Sequence, residues 1–127
     1  QAAFPYMKEQ HEGRIINFAS ATGMFGIAGQ LAYGSNKEAL RGLTKIAAKE
    51  WGQYGICVNI VLPGAESPAA GLQNFGGVCK AGKLESDEEF GDPENDIAPV
   101  IAFLAGPDSC YYSGQSVIVD GANSIMP

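Results

Sequence analysis

LAYGSNKEALRGLTKIAAKEWGQYGICVNIVLPG, residues 31–64, contains the change of hydrophobic period that decides the fold. From residue 31 to about residue 54 there is no proline, and Ala39, Leu40, Leu43, Ile46, Ala47 and Trp51 recur at helical spacings. This stretch is expected to be a long amphipathic helix, ended by Gly55. The run ICVNIVL that follows, residues 56–62, is apolar and rich in β-branched side chains, as a strand covered on both faces must be. Pro63 and Gly64 terminate it, since proline cannot donate to a sheet ladder.

Working outward, residues 14–19 (RIINFA) form a second short apolar run of the same kind, preceded by a helical segment, QAAFPYMKEQ, and a breaking glycine at Gly13. The stretch ATGMFGIAGQ, residues 21–30, carries three glycines and reads as a loop at the carboxyl end of that strand. Downstream, residues 65–92 are glycine-rich and acidic, the composition of a long functional lid or of a loop with a short helix. Pro93 suits the first turn of a helix through about residue 105, with Asp92 as its N-cap. Gly114 then admits a last strand, residues 115–119. Helix, strand, helix, strand, helix, strand predicts an α/β fold: three parallel strands with helices on the faces of the sheet. No internal repeat is present.

Composition narrows the function. The 127 residues suit one small domain, residues 1–127, and 46% hydrophobic content supplies a core. A net charge of -6 argues against nucleic acid or an anionic membrane surface as partner. Half of the acid, from Glu85 to Asp96, lies in one stretch with no His or Cys beside it, so no metal site is expected. Cys57, Cys79 and Cys110 are an odd number without paired spacing, and no hydrophobic leader precedes them; reduced thiols in a cytoplasm fit. No apolar run approaches the roughly 20 residues of a membrane helix. The chain starts at Gln1, already within a helical pattern, which leads to the expectation of a segment upstream.

Tyr33 and Lys37 are four residues apart at the start of the long helix, so their side chains project from one face. A free tyrosine has a pKa near ~10, and a neighbouring ammonium favours the phenolate, which suits an acid/base pair. The competing reading is a solvated basic stripe of Lys37, Arg41, Lys45 and Lys49. Each step of four turns the side chain on by about 40°, so Lys49 points roughly 120° away from Lys37 and one stripe cannot hold them all. Ser20 ends the first strand, where open α/β sheets bind ligands; alone it reads first as an ordinary strand-end turn residue and only second as a hydroxyl for a substrate oxygen. His11, the only histidine, lies on a polar stretch and does not support a Ser-His-Asp triad. Met24, Phe25 and Ile27, with Leu72, Phe75 and Val78, are apolar residues that serve either as core or as walls of an apolar substrate pocket.

Taken in order, GRIINFAS, YGSNK, KEWGQYGICVNIVLPG and SGQSVIVDGA resemble the short-chain dehydrogenase/reductase family through nearly the whole chain. The resemblance implies a three-layer, Rossmann-like sheet of which this chain is the C-terminal catalytic half. It implies an oxidoreductase moving hydride between NAD or NADP and a small-molecule carbonyl or secondary alcohol. By the family's pattern Tyr33 is the general acid/base and also a cofactor contact, Ser20 polarises the substrate oxygen, and Lys37 would hold the nicotinamide ribose and lower the Tyr33 pKa. Pro63, Gly64 and Ala65, with the Ser67 hydroxyl, would face the nicotinamide ring and its amide. A homodimer or homotetramer is implied as well. The family's Gly-rich phosphate-binding turn, its Asn-Asn-Ala-Gly segment and the asparagine of its catalytic set are absent and are expected upstream of Gln1; Asp120-Gly121-Ala122 stands where two glycines are usual. The alternative is a non-catalytic fragment or an oligomerisation partner.

Overall fold

The structure is a computed structural model and describes residues 2–65 and 91–124. Three parallel strands, β1 (Gly13–Phe18), β2 (Ile56–Pro63) and β3 (Ser116–Val119), lie side by side in that order. Helix α1 (Phe4–Gln10) precedes β1, α2 (Ala21–Phe25) and α3 (Leu31–Trp51) join β1 to β2, and α4 (Ala98–Ala105) precedes β3. The parallel sheet with flanking helices is the architecture the sequence predicts.

The registers Ile15↔Val58, Asn17↔Ile60 and Leu62↔Ile118 align side chains of like parity, and alternate residues of a strand point to opposite faces. On one face Val58 and Ile56 pack with Ala47 of α3, joined by Ile15, Trp51 and Phe4, while Ala19, Ile60 and Leu62 pack with Leu40 and Met24. On the other, Arg14 Nε donates to the Gly106 carbonyl just beyond α4, and Cys57 and Asn59 reach the carbonyls of Cys110 and Tyr112. The two crossovers therefore advance the strand order in the same sense and return on opposite faces, so they have opposite hands; one departs from the right-handed rule.

β2 is the central strand and is buried from Ile56 through Leu62. Each fully buried large aliphatic side chain there contributes about 1.5–3 kcal/mol relative to exposure. Its one polar member, Asn59, is 1% exposed and fully used: Nδ2 donates to the Tyr112 carbonyl at 2.7 Å and Oδ1 accepts from Gln115 N at 3.1 Å. Asn59 thereby ties the loop before β3 to the middle of the sheet. Asn59→Ala leaves a carbonyl and an N–H without partners, so the unfolding free energy should fall by about 2–4 kcal/mol in urea titration. A loss well under 1 kcal/mol would show that the loop holds itself.

Three local readings need correction. Residues 21–30 are not all loop: Ser20 accepts a hydrogen bond from Thr22 N and starts the short helix α2. The cap overrides the low helix propensity of Gly23. Helix α1 ends not at Gly13 but at His11, which takes the left-handed conformation with φ 52°, and Gly13 begins β1. Helix α3 buries Gly34, Thr44 and Ala47, with Leu40 and Trp51 alongside, whereas Ala39, Leu43 and Ile46 of the predicted apolar face are exposed. These three lie about 100° further round the helix, a second apolar stripe that a one-dimensional periodicity merges with the first. The helix before β3 does start at Pro93 with Asp92 as N-cap, but its first turn, Pro93–Ile97, is a π-helical one. Among the described residues no helix is long and apolar enough to cross a membrane.

Candidate active site

At the carboxyl end of β1 the chain turns into α2, and Ala19 and Ser20 are the residues between them. Its extended backbone, φ -152° and ψ 145°, lets the hydroxyl fold back on the first turn, where it accepts from Thr22 N at 3.2 Å and donates to Thr22 Oγ1 at 3.1 Å. Helix α2 then lies against the first turns of α3. The contact is a close one: a Cβ on Gly23 would stand 2.8 Å from the Gly34 carbonyl oxygen, and Gly34 is buried. Because Gly34 follows Tyr33, this contact fixes the segment bearing Ser20 against the helical turn bearing Tyr33.

Tyr33 lies in the first turn of α3 and is 42% exposed. One turn later, Lys37 reaches back over the end of β1, and its Nζ donates to the Phe18 carbonyl at 3.0 Å. The same ammonium is 5.5 Å from the centroid of the Tyr33 ring. Ala19 N bonds to Val61 O across to β2, so by strand alternation the neighbouring Phe18 carbonyl faces the edge of β1 away from β2. Lys37 is thus held by a main-chain acceptor two residues before Ser20, and Ser20, Tyr33 and Lys37 share one end of the sheet.

Pro63 closes β2 at that end. Gly64 N donates to the Val119 carbonyl and Gly64 O accepts from Gly91 N, both at 2.8 Å, while Ala65 bridges to Gly91. An apolar groove of about 640 Å³ opens on the α4 face beside these residues, lined by Phe18, Pro63, Ala65, Ile97 and Ile101 among others. Ser67, and with it Leu72, Phe75, Val78 and Cys79, lies outside the described residues. Of the apolar candidates in the first loop, Met24 packs on the Ala19–Leu62 core, whereas Phe25 and Ile27 are 52% and 39% exposed. Cys57 is buried and Cys110 exposed, both as free thiols, and His11 is exposed at the end of α1.

Three features escaped sequence reasoning: the Thr22 hydroxyl on Ser20, the Phe18 carbonyl that anchors Lys37, and the glycine contact between α2 and α3. Only the first left a trace, a hydroxyl residue two places after a strand-end serine, which is a turn-forming spacing. A main-chain carbonyl has no sequence signature.

The donor set fits one part of a nicotinamide cofactor. An ammonium and a phenol, both accessible at the carboxyl edge of a parallel sheet, suit ribose hydroxyls. Among the described residues there is no Gly-rich turn opening a helix, the device that binds a pyrophosphate.

Comparison with known proteins identifies the family. A family model described as enoyl-(acyl carrier protein) reductase matches residues 1–122. The chain is 41% identical to a 12alpha-hydroxysteroid dehydrogenase of a Clostridium species, over 98% of this chain and 49% of that protein. It is 40% identical to an (S)-acetoin-forming diacetyl reductase of Staphylococcus aureus, over 95% of this chain and 52% of the relative. The crystal structure of acetoin dehydrogenase from Enterobacter cloacae superposes with a TM-score of 0.76 at 34% identity, covering 100% of this chain and 52% of that one. The chain spans about half the length of the curated relatives it matches. A phenol and an ammonium one turn apart, a strand-end serine and relatives that are dehydrogenases and reductases lead to one conclusion: the chain belongs to the short-chain dehydrogenase/reductase family.

Proposed function

We propose that this chain carries the proton-transfer and substrate-orienting part of an NAD- or NADP-dependent oxidoreductase that interconverts a carbonyl and a secondary alcohol. The observation that supports it most directly is the Lys37 ammonium, 5.5 Å from the Tyr33 ring and bonded to the strand-end carbonyl two residues before Ser20. The nicotinamide cofactor, when bound, supplies or accepts the hydride. In reduction, the hydroxyls of Ser20 and Tyr33 donate to the carbonyl oxygen, and Tyr33 gives up its proton as negative charge develops there. In oxidation Tyr33 accepts the alcohol proton. Lys37 binds the ribose hydroxyls, and its ammonium stands beside the phenol ring. The main chain of Pro63, Gly64 and Ala65 would hold the nicotinamide ring and its amide.

Relatives named for a hydroxysteroid and for diacetyl support a carbonyl or secondary alcohol as the substrate class. The test is turnover of NADH or NADPH with a ketosteroid and a small diketone as the two probes, together with calorimetric titration of each cofactor. Oxidation of the reduced cofactor with either probe supports the reading, and absence of both binding and turnover in the active-length protein removes it. Lys37→Met should weaken cofactor binding about tenfold, since hydrogen bonds from a charged group are lost; unchanged affinity would take the ribose contact away from Lys37. The exposed apolar stripe of α3, with Leu43 53% and Ile46 59% exposed, supports a homodimer or homotetramer. Among the described residues Cys57 and Cys110 are free thiols, which fits a cytoplasmic setting.

A further inference from the structure

We infer that Thr22 is a positioning residue that makes the Ser20 hydroxyl a dedicated hydrogen-bond donor toward the substrate oxygen. The inference rests on the role proposed for Ser20. Thr22 is 5% exposed, and it meets Ser20 Oγ twice: its N–H donates at 3.2 Å and its Oγ1 lies 3.1 Å away as acceptor. Capping of α2 accounts for the first contact only, because any residue at position 22 brings the same N–H. The second depends on the side chain.

Two hydroxyls in contact can exchange donor and acceptor by rotation about their C–O bonds, with no movement of heavier atoms. When the exchange occurs, Ser20 Oγ accepts from both the N–H and the O–H of Thr22. A hydroxyl has two lone pairs and one proton, so both acceptor positions are then filled and only the proton is left to give. Each accepted bond also polarises the Ser20 O–H and strengthens the bond it donates. A carbonyl oxygen that gains negative charge during hydride arrival needs a donor of this kind. Without a substrate, the pair closes on itself with Ser20 donating to Thr22, so neither hydroxyl loses its partner in a nearly dry position.

Thr22→Val keeps the shape and the N–H but removes the hydroxyl, and Thr22→Ser restores it. In the active enzyme Thr22→Val should lower kcat about threefold to tenfold, the equivalent of one lost hydrogen bond, with cofactor KM unchanged and Thr22→Ser close to the parent. Equal kcat for Thr22→Val would overturn the inference. A second measurement needs no turnover: in a Ser20→Cys background, alkylation at position 20 is followed across pH by peptide mass spectrometry. Adding Thr22→Val should raise the midpoint by about half a pH unit or more, while Thr22→Ser should not. Thr22→Ala repeats the comparison should valine disturb folding, as judged by circular dichroism. Identical midpoints in all backgrounds overturn the contact itself. A shifted midpoint, together with no turnover of any carbonyl substrate by the parent protein with Ser20 intact, supports the contact and instead overturns the oxidoreductase reading, so the two failures are distinguishable.

Discussion

Tyr33→Phe should lower kcat at least ~10²-fold, the contribution of a positioned general acid. Cofactor affinity should fall only about two- to fivefold, because the ribose loses the phenol oxygen and keeps the Lys37 ammonium. The Lys37 ammonium rests on the Phe18 carbonyl rather than on the phenol oxygen, so its position does not depend on Tyr33 keeping a hydroxyl. Its contact with the aromatic ring, 5.5 Å to the centroid, also survives. A loss in kcat with equal loss in kcat/KM identifies an interaction made only in the transition state, and single-turnover kinetics with calorimetry for cofactor separate the two quantities. Retention of a tenth or more of parent turnover would remove Tyr33 from the acid/base role.

The elements that the sequence predicted well are those in which one local signal dominates. β2 was legible because seven consecutive residues, Ile56 to Leu62, are buried on both faces and none of them has to be polar outward. Asp92 and Pro93 mark their helix start because cap chemistry is local: Asp92 Oδ1 accepts from Glu94 N and Asn95 N. Helix α3 was legible in extent and less so in orientation. Its two apolar stripes give the same spacing, and only the sheet decides that Thr44 and Ala47 face inward while Leu43 and Ile46 do not. The buried position of Thr44 is a polar one that hydropathy discards. It is satisfied because its hydroxyl donates to the Leu40 carbonyl and accepts from Asn17 Nδ2.

Within the candidate site the same division holds. Tyr33 and Lys37 were legible because four residues is one helical turn. The partners that hold Lys37 and Ser20 were not, since one is a main-chain oxygen and the other becomes informative only when α2 exists. Three glycines in residues 21–30 predict a loop, and a loop gives Thr22 no defined direction. What converts it is a tertiary contact between two glycines, a distance that no periodicity encodes.

That contact can be tested by itself. Gly23→Ala places a methyl group 2.8 Å from the Gly34 carbonyl oxygen and 2.9 Å from Glu38 Cγ. The Glu38 side chain can swing aside, at the cost of its paired hydrogen bonds with Arg41. The Gly34 oxygen cannot, being main chain within α3, so α2 must move away by several tenths of an ångström or more. Ser20 moves with α2 because its hydroxyl caps that helix, while Tyr33 stays with α3. Misplacement of a reacting group approaching 1 Å can cost up to about 10²-fold in rate, so kcat should fall by about 10- to 10²-fold. The overpacked contact should cost about 1–3 kcal/mol in stability, measured by urea titration. Cofactor affinity should hold, because Lys37 and Pro63 are anchored to β1 and β2 rather than to α2. A second substitution, Ser20→Ala, decides the cause: added to Gly23→Ala it should lower kcat little further, since the displaced hydroxyl no longer contributes. Fully multiplicative effects of the two would mean that the glycine contact acts on something other than the distance between Ser20 and Tyr33.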